Sequence, residues 1–236
     1  MRNQEITTEN KIRFKFYKKG EYKYLSHLDI TRIIIRAIRR TGIKIKYSCG
    51  YNPRPKISFS HPTPLGIESE AEYSDVIVSE NISGDDFAKV VNLQLIQIKP
   101  QMKIMQAKKI GIKSINLMND ISVCLYYFEL DASGADENLT CKFTKDLKSK
   151  IRSEPHISSS VFDLVTNTDT KNIIFLKLFG YVKIFKSMDN EIFKFNYFLD
   201  FFGSLIKNYS MDIYYMRKDE MYVFRNGTLK TPMEVT

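Results

Sequence analysis

At 236 residues, with 43% hydrophobic residues and 30 phenylalanines and tyrosines, the chain can bury the core of one large domain or two small ones without a metal or a disulfide. No window reaches the roughly 18 uncharged apolar residues of a membrane span, and residues 1–11 are polar and mixed in charge rather than a signal peptide, so the expected compartment is the cytoplasm and no membrane partner is expected. Cys49, Cys124 and Cys141 are odd in number and far apart, which excludes a disulfide framework and the close cysteine run of an iron–sulfur cluster, so no cofactor is expected.

The net charge of +9 is unevenly placed. Residues 11–56 carry 14 lysines and arginines against only Glu21 and Asp29, a local net of +12, whereas the rest of the chain has 22 basic and 25 acidic residues and nets −3. A general drift toward lysine would have spread the excess. Its concentration points to a surface for a polyanion.

In chain order, residues 11–17 alternate Ile12, Phe14 and Phe16 with Arg13 and Lys15, the period of a strand with one face in water. Residues 26–41 read as a helix: Ser26 can cap the free amides, Asp29 stands three residues on, and Gly42 suits a left-handed stop. Ile30, Ile33, Ile34, Ala37 and Ile38 share one face and form core, while Arg32, Arg36, Arg39 and Arg40 fall on the other. A short strand over 43–47 leads into the loop 48–56, whose Pro53 and Pro55 forbid regular helix. Extended segments over 57–60 and 67–78, a helix over 83–95 and a strand over 103–112 follow. The order strand, helix, strand, strand, helix, strand is that of a ferredoxin-like unit. Residues 120–225 repeat it in pattern: strand 121–130, helix 139–150, strands 158–166 and 172–185, helix 193–206 and strand 212–224. The expected fold class is α+β, with two tandem ferredoxin-like (βαββαβ) domains with antiparallel sheets, a basic domain over 1–115 and an aromatic-rich one over 116–236.

The densest motif runs Tyr24-Leu-Ser-His-Leu-Asp29, Arg39-Arg40, Tyr47-Ser-Cys-Gly-Tyr-Asn-Pro-Arg-Pro-Lys-Ile-Ser-Phe59, Pro64-Leu-Gly-Ile-Glu-Ser69 and Glu72-Tyr-Ser-Asp75. It resembles the uncharacterised family of radical-SAM-associated (radical SAM-linked) proteins, in which the domain stands alone or is fused behind a radical SAM enzyme. The resemblance extends over nearly the whole chain, including residues 217–235. Cys49 and Thr63 depart from the pattern, so neither is read as a functional thiol or hydroxyl. The resemblance implies association with a radical SAM enzyme, which would itself carry the cluster and S-adenosylmethionine, and a role near RNA. It supplies no reaction.

Read from the residues alone, the Arg32, Arg36, Arg39 and Arg40 stripe suits phosphate, because guanidinium stays charged and grips oxygens in a fork. A stripe of this kind is also an ordinary solvated helix face, but only two acidic residues stand nearby to balance it, which favours binding. Tyr47, Tyr51 and Phe59 interleave with Arg54 and Lys56 as a stacking surface for unpaired bases would. Tyr47 and Phe59 are read as core-facing and Tyr51 as the binding ring, on a loop that Asn52, Pro53, Arg54 and Pro55 keep rigid. His27, Asp29 and His61 form the alternative set, a metal-independent endoribonuclease in which imidazoles abstract and donate protons. The same trio matches no dedicated metal-ligand spacing. Glu68, Glu70 and Glu72, with Asp75 beyond them, share a strand face read as solvated or as a dock for a basic partner, and His156, Gly20, Gly50 and Gly66 as structural. Phe193, Phe195, Tyr197, Phe198, Phe201 and Phe202 crowd one helix beyond what one buried face needs, which makes Phe198, Phe201 and Phe202 the candidate partner interface. The function these readings favour is a non-catalytic RNA-binding accessory protein that presents a tRNA or rRNA substrate to a separately encoded radical SAM enzyme. A protein–protein adaptor without RNA binding is the other alternative.

Overall fold

The computed structural model describes residues 9–98, 101–133, 137–158, 161–168, 173–181 and 195–235. The architecture is mixed α+β, and the chain divides into two compact units, Met1–Ile121 with Arg225–Thr236, and Ser122–Phe224.

In the first unit the order is β1 (Asn10–Lys18), a 3-10 turn (Gly20–Tyr24), α1 (His27–Arg40), β2 (Ile57–Phe59), β3 (Glu68–Val78), α2 (Gly84–Ile98), β4 (Met102–Ile110) and the single turn α3 (Leu117–Asp120). β1 pairs antiparallel with β3, Phe14 opposite Ser74, and with β4, while β2 pairs antiparallel with β3. The strand order is therefore β4-β1-β3-β2. Ile12, Phe14 and Phe16 of β1 are buried against Ile30, Ile34, Ala37 and Ile38 of α1 and Phe87, Val91 and Leu95 of α2, each large apolar side chain contributing about 1.5–3 kcal/mol of transfer free energy. α1 starts where the cap predicts: the Asp29 amide donates to Ser26 Oγ at 3.2 Å and the Ser26 hydroxyl donates to the Asp29 carboxylate at 2.6 Å. It stops at Gly42, whose φ is +84°. α2 begins on Gly84 because it lies close against β4; a Cβ there would stand 2.1 Å from the Ala107 carbonyl oxygen.

Two expectations for this unit fail. Residues 43–47 form no strand, only isolated bridges, Ile45 to Val78 and Tyr47 to Pro55. The second face of β1 is not wet, for Arg13 is 2% exposed. Its Nε and Nη2 donate to the two carboxylate oxygens of Asp75 at 2.8 and 3.0 Å, and its remaining donors reach the carbonyls of Pro232 and Ile115 at 3.1 and 3.3 Å. Lys11 Nζ stands 3.3 Å from the same carboxylate. Lys108 donates to the Met233 carbonyl, and desolvation, with the Arg13 charge beside it, holds its ammonium below the usual lysine range. Segments around residues 114–115 and 232–233 thus roof a face that alternation alone marks as solvent-exposed.

The second unit contains β5 (Val123–Asp131), α4 (Glu137–Ser153), the single turn α5 (Pro155–Ser158), β6 (Val161–Thr168), β7 (Ile173–Tyr181), α6 (Phe195–Lys207) and β8 (Asp212–Arg225). β5 pairs antiparallel with β7 and β8, and β6 with β7, an order of β8-β5-β7-β6. Asn226 and Gly227, both at positive φ, then turn the chain into β9 (Thr228–Lys230). Phe128 of β5 lies 6.0 Å from Phe198 and 5.4 Å from Phe202 between ring centroids, and Phe143 of α4 lies 6.5 Å from Phe202. Phe198 and Phe202 are 1% and 0% exposed, so the aromatic crowd on α6 is the core of its own unit and not a partner interface. Phe201 is half-buried, and Tyr197 is the exposed ring of that helix. Phe193, the side chain of His156 and the outer parts of the predicted strands 158–166 and 172–185 lie outside the described residues.

Candidate nucleic-acid interface

The opposite face of α1 is exposed at Arg32, Arg36, Arg39 and Arg40. Arg32 stands 3.3 Å from Asp29 in an exposed i,i+3 pair, an arrangement that contributes little to stability and leaves the guanidinium exchangeable. Arg39 is held more firmly: its Nε donates to the Tyr47 hydroxyl at 2.9 Å and its guanidinium lies 5.6 Å from the ring centroid. Arg36 and Arg40, one helical turn or about 6 Å apart, have no carboxylate partner among the described residues.

Tyr47 is also the root of the loop. It bridges Pro55, the Ser48 amide donates to the Arg54 carbonyl at 2.8 Å, and the Arg54 amide donates back to Ser48 Oγ at 3.0 Å. Below this closure the Lys56 amide reaches the Lys46 carbonyl at 2.7 Å, and Lys46 and Ile77 of β3 are joined at 2.8 Å. The neck is therefore fixed to the sheet, and residues 49–53 project from it. Tyr51, near the middle of that projection, is 100% exposed, and Asn52 and Arg54 are exposed beside it; Lys56 is half-buried in the neck. The contact from Arg39 to Tyr47 joins the arginine face to the loop, so these two separately predicted features meet.

The basic excess is smaller at the surface than in the sequence. Arg13 and Lys18 are buried, Lys19 pairs with Glu70 at 2.7 Å, and Lys46 pairs with Glu9 at 2.9 Å. Within residues 11–56, Arg36, Arg40, Lys44 and Arg54 stay exposed with no carboxylate partner among the described residues, and Arg39 is exposed with only Tyr47 on it.

The acidic run is not a docking face. Glu72 is buried and accepts the Thr63 hydroxyl, Glu68 accepts the Gly20 amide at 2.8 Å, and Asp75 is taken by Arg13. Residues 71–76 are buried on both sides of β3, which a one-sided alternation does not anticipate. The three candidate acid/base groups each have a structural neighbour. The His27 ring meets Phe59 edge-on at 5.4 Å between centroids, and His61 Nε2 stands 3.2 Å from the Met118 carbonyl. Asp29 is engaged by Ser26 and Arg32, which hold its carboxyl below the usual carboxylate range, the Ser26 hydrogen bond most strongly. Among the described residues no group of three or more His, Cys, Asp or Glu is placed to hold a metal ion. Tyr47 and Phe59 pack half-buried against the core as their core-facing reading has it, but that reading does not anticipate the Tyr47 hydroxyl's contact with Arg39; the exposed trio Tyr24, Leu28 and Leu65, at 67%, 56% and 64%, escapes it altogether. The signal for Leu28 was available, since it falls off the isoleucine face.

A family model described as an uncharacterized protein conserved in bacteria, DUF2344, matches residues 11–167. The chain belongs to this family. The DUF2344 match contains the whole arginine face, the loop and the buried Arg13–Asp75 pair, and its description states neither reaction nor partner. No curated protein matches the chain. Among solved structures, an unknown protein from Galdieria sulphuraria is 13% identical with a TM-score of 0.26, over 89% of this chain and 99% of that one. A candidate glycine cleavage system transcriptional repressor gives 13% and 0.26 over 89% and 98%, and a candidate monooxygenase from Lactobacillus acidophilus gives 12% and 0.28 over 95% and 96%. Likenesses this weak carry no argument about fold or activity. Among the described residues no helix is long and apolar enough to cross a membrane.

Proposed function

We propose that this member of the DUF2344 family is an RNA-binding accessory protein of the cytoplasm that does no chemistry itself and presents a tRNA or rRNA segment to a separately encoded radical SAM enzyme. The observation that carries the RNA half is that Arg36, Arg40 and Arg54, none with a carboxylate partner among the described residues, stand on a helix and a loop that the Arg39–Tyr47 contact joins, the loop carrying the fully exposed Tyr51. Guanidinium groups supply salt-dependent affinity for phosphate, and an exposed ring supplies stacking. The radical SAM half rests on the motif resemblance alone. Two ferredoxin-like units are part of the same reading, supported by the strand orders β4-β1-β3-β2 and β8-β5-β7-β6. The endoribonuclease alternative gains nothing from the geometry, because Asp29 is spent on the helix cap and both imidazoles have structural neighbours.

The test is crosslinking of the tagged protein in its own cells, with RNA and protein recovered from one sample. One enriched RNA class with crosslinks in residues 32–56 is the expected result. Recovery of a radical SAM protein without RNA would make the basic face a protein dock and sink the RNA half.

A further inference from the structure

We infer that the interface takes an unpaired strand rather than a duplex, with a base stacked on Tyr51 and flanking phosphates on Arg54 and on Arg36 and Arg40; this rests on the RNA-binding reading above. Three features point to a single strand. The first is Tyr51 itself. A tyrosine at 100% exposure buries none of its ring in its own fold, and the face it offers fits the flat π-surface of a base, which a duplex keeps inside its stack.

The second is the mounting of the ring. Ser48 and Arg54 close the loop through both backbone and hydroxyl, and Lys46 and Lys56 anchor its neck to β3. A stacking ring on a closed, anchored projection has less freedom to lose on binding than one on an open tail. The third is charge. Arg54 stands three residues from Tyr51 at the loop closure, and Arg36 and Arg40 are spaced one turn apart on the helix that Arg39 links to the loop root. This sets one cation on the loop that carries the ring and two on the helix that contacts the loop root, an arrangement that a backbone running past a single splayed base could use. An RNA duplex offers phosphates to the same cations and nothing to the ring.

The experiment is fluorescence anisotropy of the full chain with a labelled single-stranded oligoribonucleotide and with the same oligonucleotide annealed to its complement, across a salt series, for the wild type, Tyr51→Ala and Arg36→Ala/Arg40→Ala. Both variants change exposed side chains, and circular dichroism checks that they fold. The wild type is expected to prefer the single strand. Tyr51→Ala is expected to weaken single-strand binding by about ten-fold or more with its salt slope and the duplex affinity unchanged, and the double arginine variant to weaken both. Equal affinity of the wild type for the two forms, with Tyr51→Ala harmless, would overturn the single-strand inference while leaving RNA binding standing. Absence of binding to either form at low salt would overturn both.

Discussion

Replacing Asp75 with alanine is the most informative test of the fold. The change removes a carboxylate that accepts two hydrogen bonds from Arg13, at 2.8 and 3.0 Å, and faces Lys11 Nζ at 3.3 Å, in a pair whose side chains are 2% and 1% exposed. Removing one partner of a buried ion pair ordinarily costs about 3–5 kcal/mol, because the other charge is left without compensation. Arg13 would keep the Pro232 and Ile115 carbonyls, so the lower end of that range applies, about 3 kcal/mol. For a chain of this length that is a fall in melting temperature of about 6–12 °C. The chain has no tryptophan, so far-ultraviolet circular dichroism on heating is the assay. Arg13→Met/Asp75→Leu, which removes both charges, should be markedly less damaging than Asp75→Ala. A melting temperature for Asp75→Ala within 2 °C of wild type, or a double variant worse than the single, would refute the assignment of Asp75 as the counter-charge of a buried arginine.

Arg36→Ala/Arg40→Ala should reduce the slope of log affinity against log salt for single-stranded RNA by about 1.4, the value for two lost phosphate contacts; an unchanged slope would remove both from the interface. Phe202→Ala should destabilise the second unit by about 3–5 kcal/mol in urea melts while leaving RNA affinity intact, the reverse of what an interface residue would do. Burial first, and then the hydrogen bond to Glu129, push the Tyr127 hydroxyl up from 10.0 to about 12. The folded state then holds that proton more tightly than the unfolded one, so the stabilisation is complete below pH 10 and is lost as pH rises toward 12. In a spectrophotometric titration Tyr127→Phe should remove a late-ionising tyrosine from the alkaline limb, and an unaltered alkaline limb would contradict the shift.

Local signals read true where they had no competitor. Ser26, Asp29, the isoleucine face and Gly42 define α1 because capping and periodicity act within a few residues of chain. The arginine face and the exposure of Tyr51 follow from the same logic. Signals failed where distant chain decides. The alternation of β1 marks Arg13 as solvent-facing, and only segments about a hundred and two hundred positions downstream bury it. Glu72 looks like one of a row of surface glutamates until Thr63 and the burial of β3 enclose it. The aromatics of α6 exceed what one helix face needs only if the partner face is apolar but small; here Phe128 and Phe143 receive them. The contact from Arg39 to Tyr47 joins two motifs that sequence can place only side by side in the chain.

The acceptor that Arg13 finds in Pro232 is 219 positions away, and this sets an order of events during synthesis. At translation rates of about 5–20 residues per second, the completed stretch 10–121 waits roughly 5–20 s for that carbonyl, while the whole of 122–224 is made. The second unit is continuous in the chain, whereas the first takes its last segment from beyond it. The strands and helices that bury β1 are all made within residues 10–110, so Arg13 can pair with Asp75 early and gains its Pro232 acceptor only after the second unit has been synthesised.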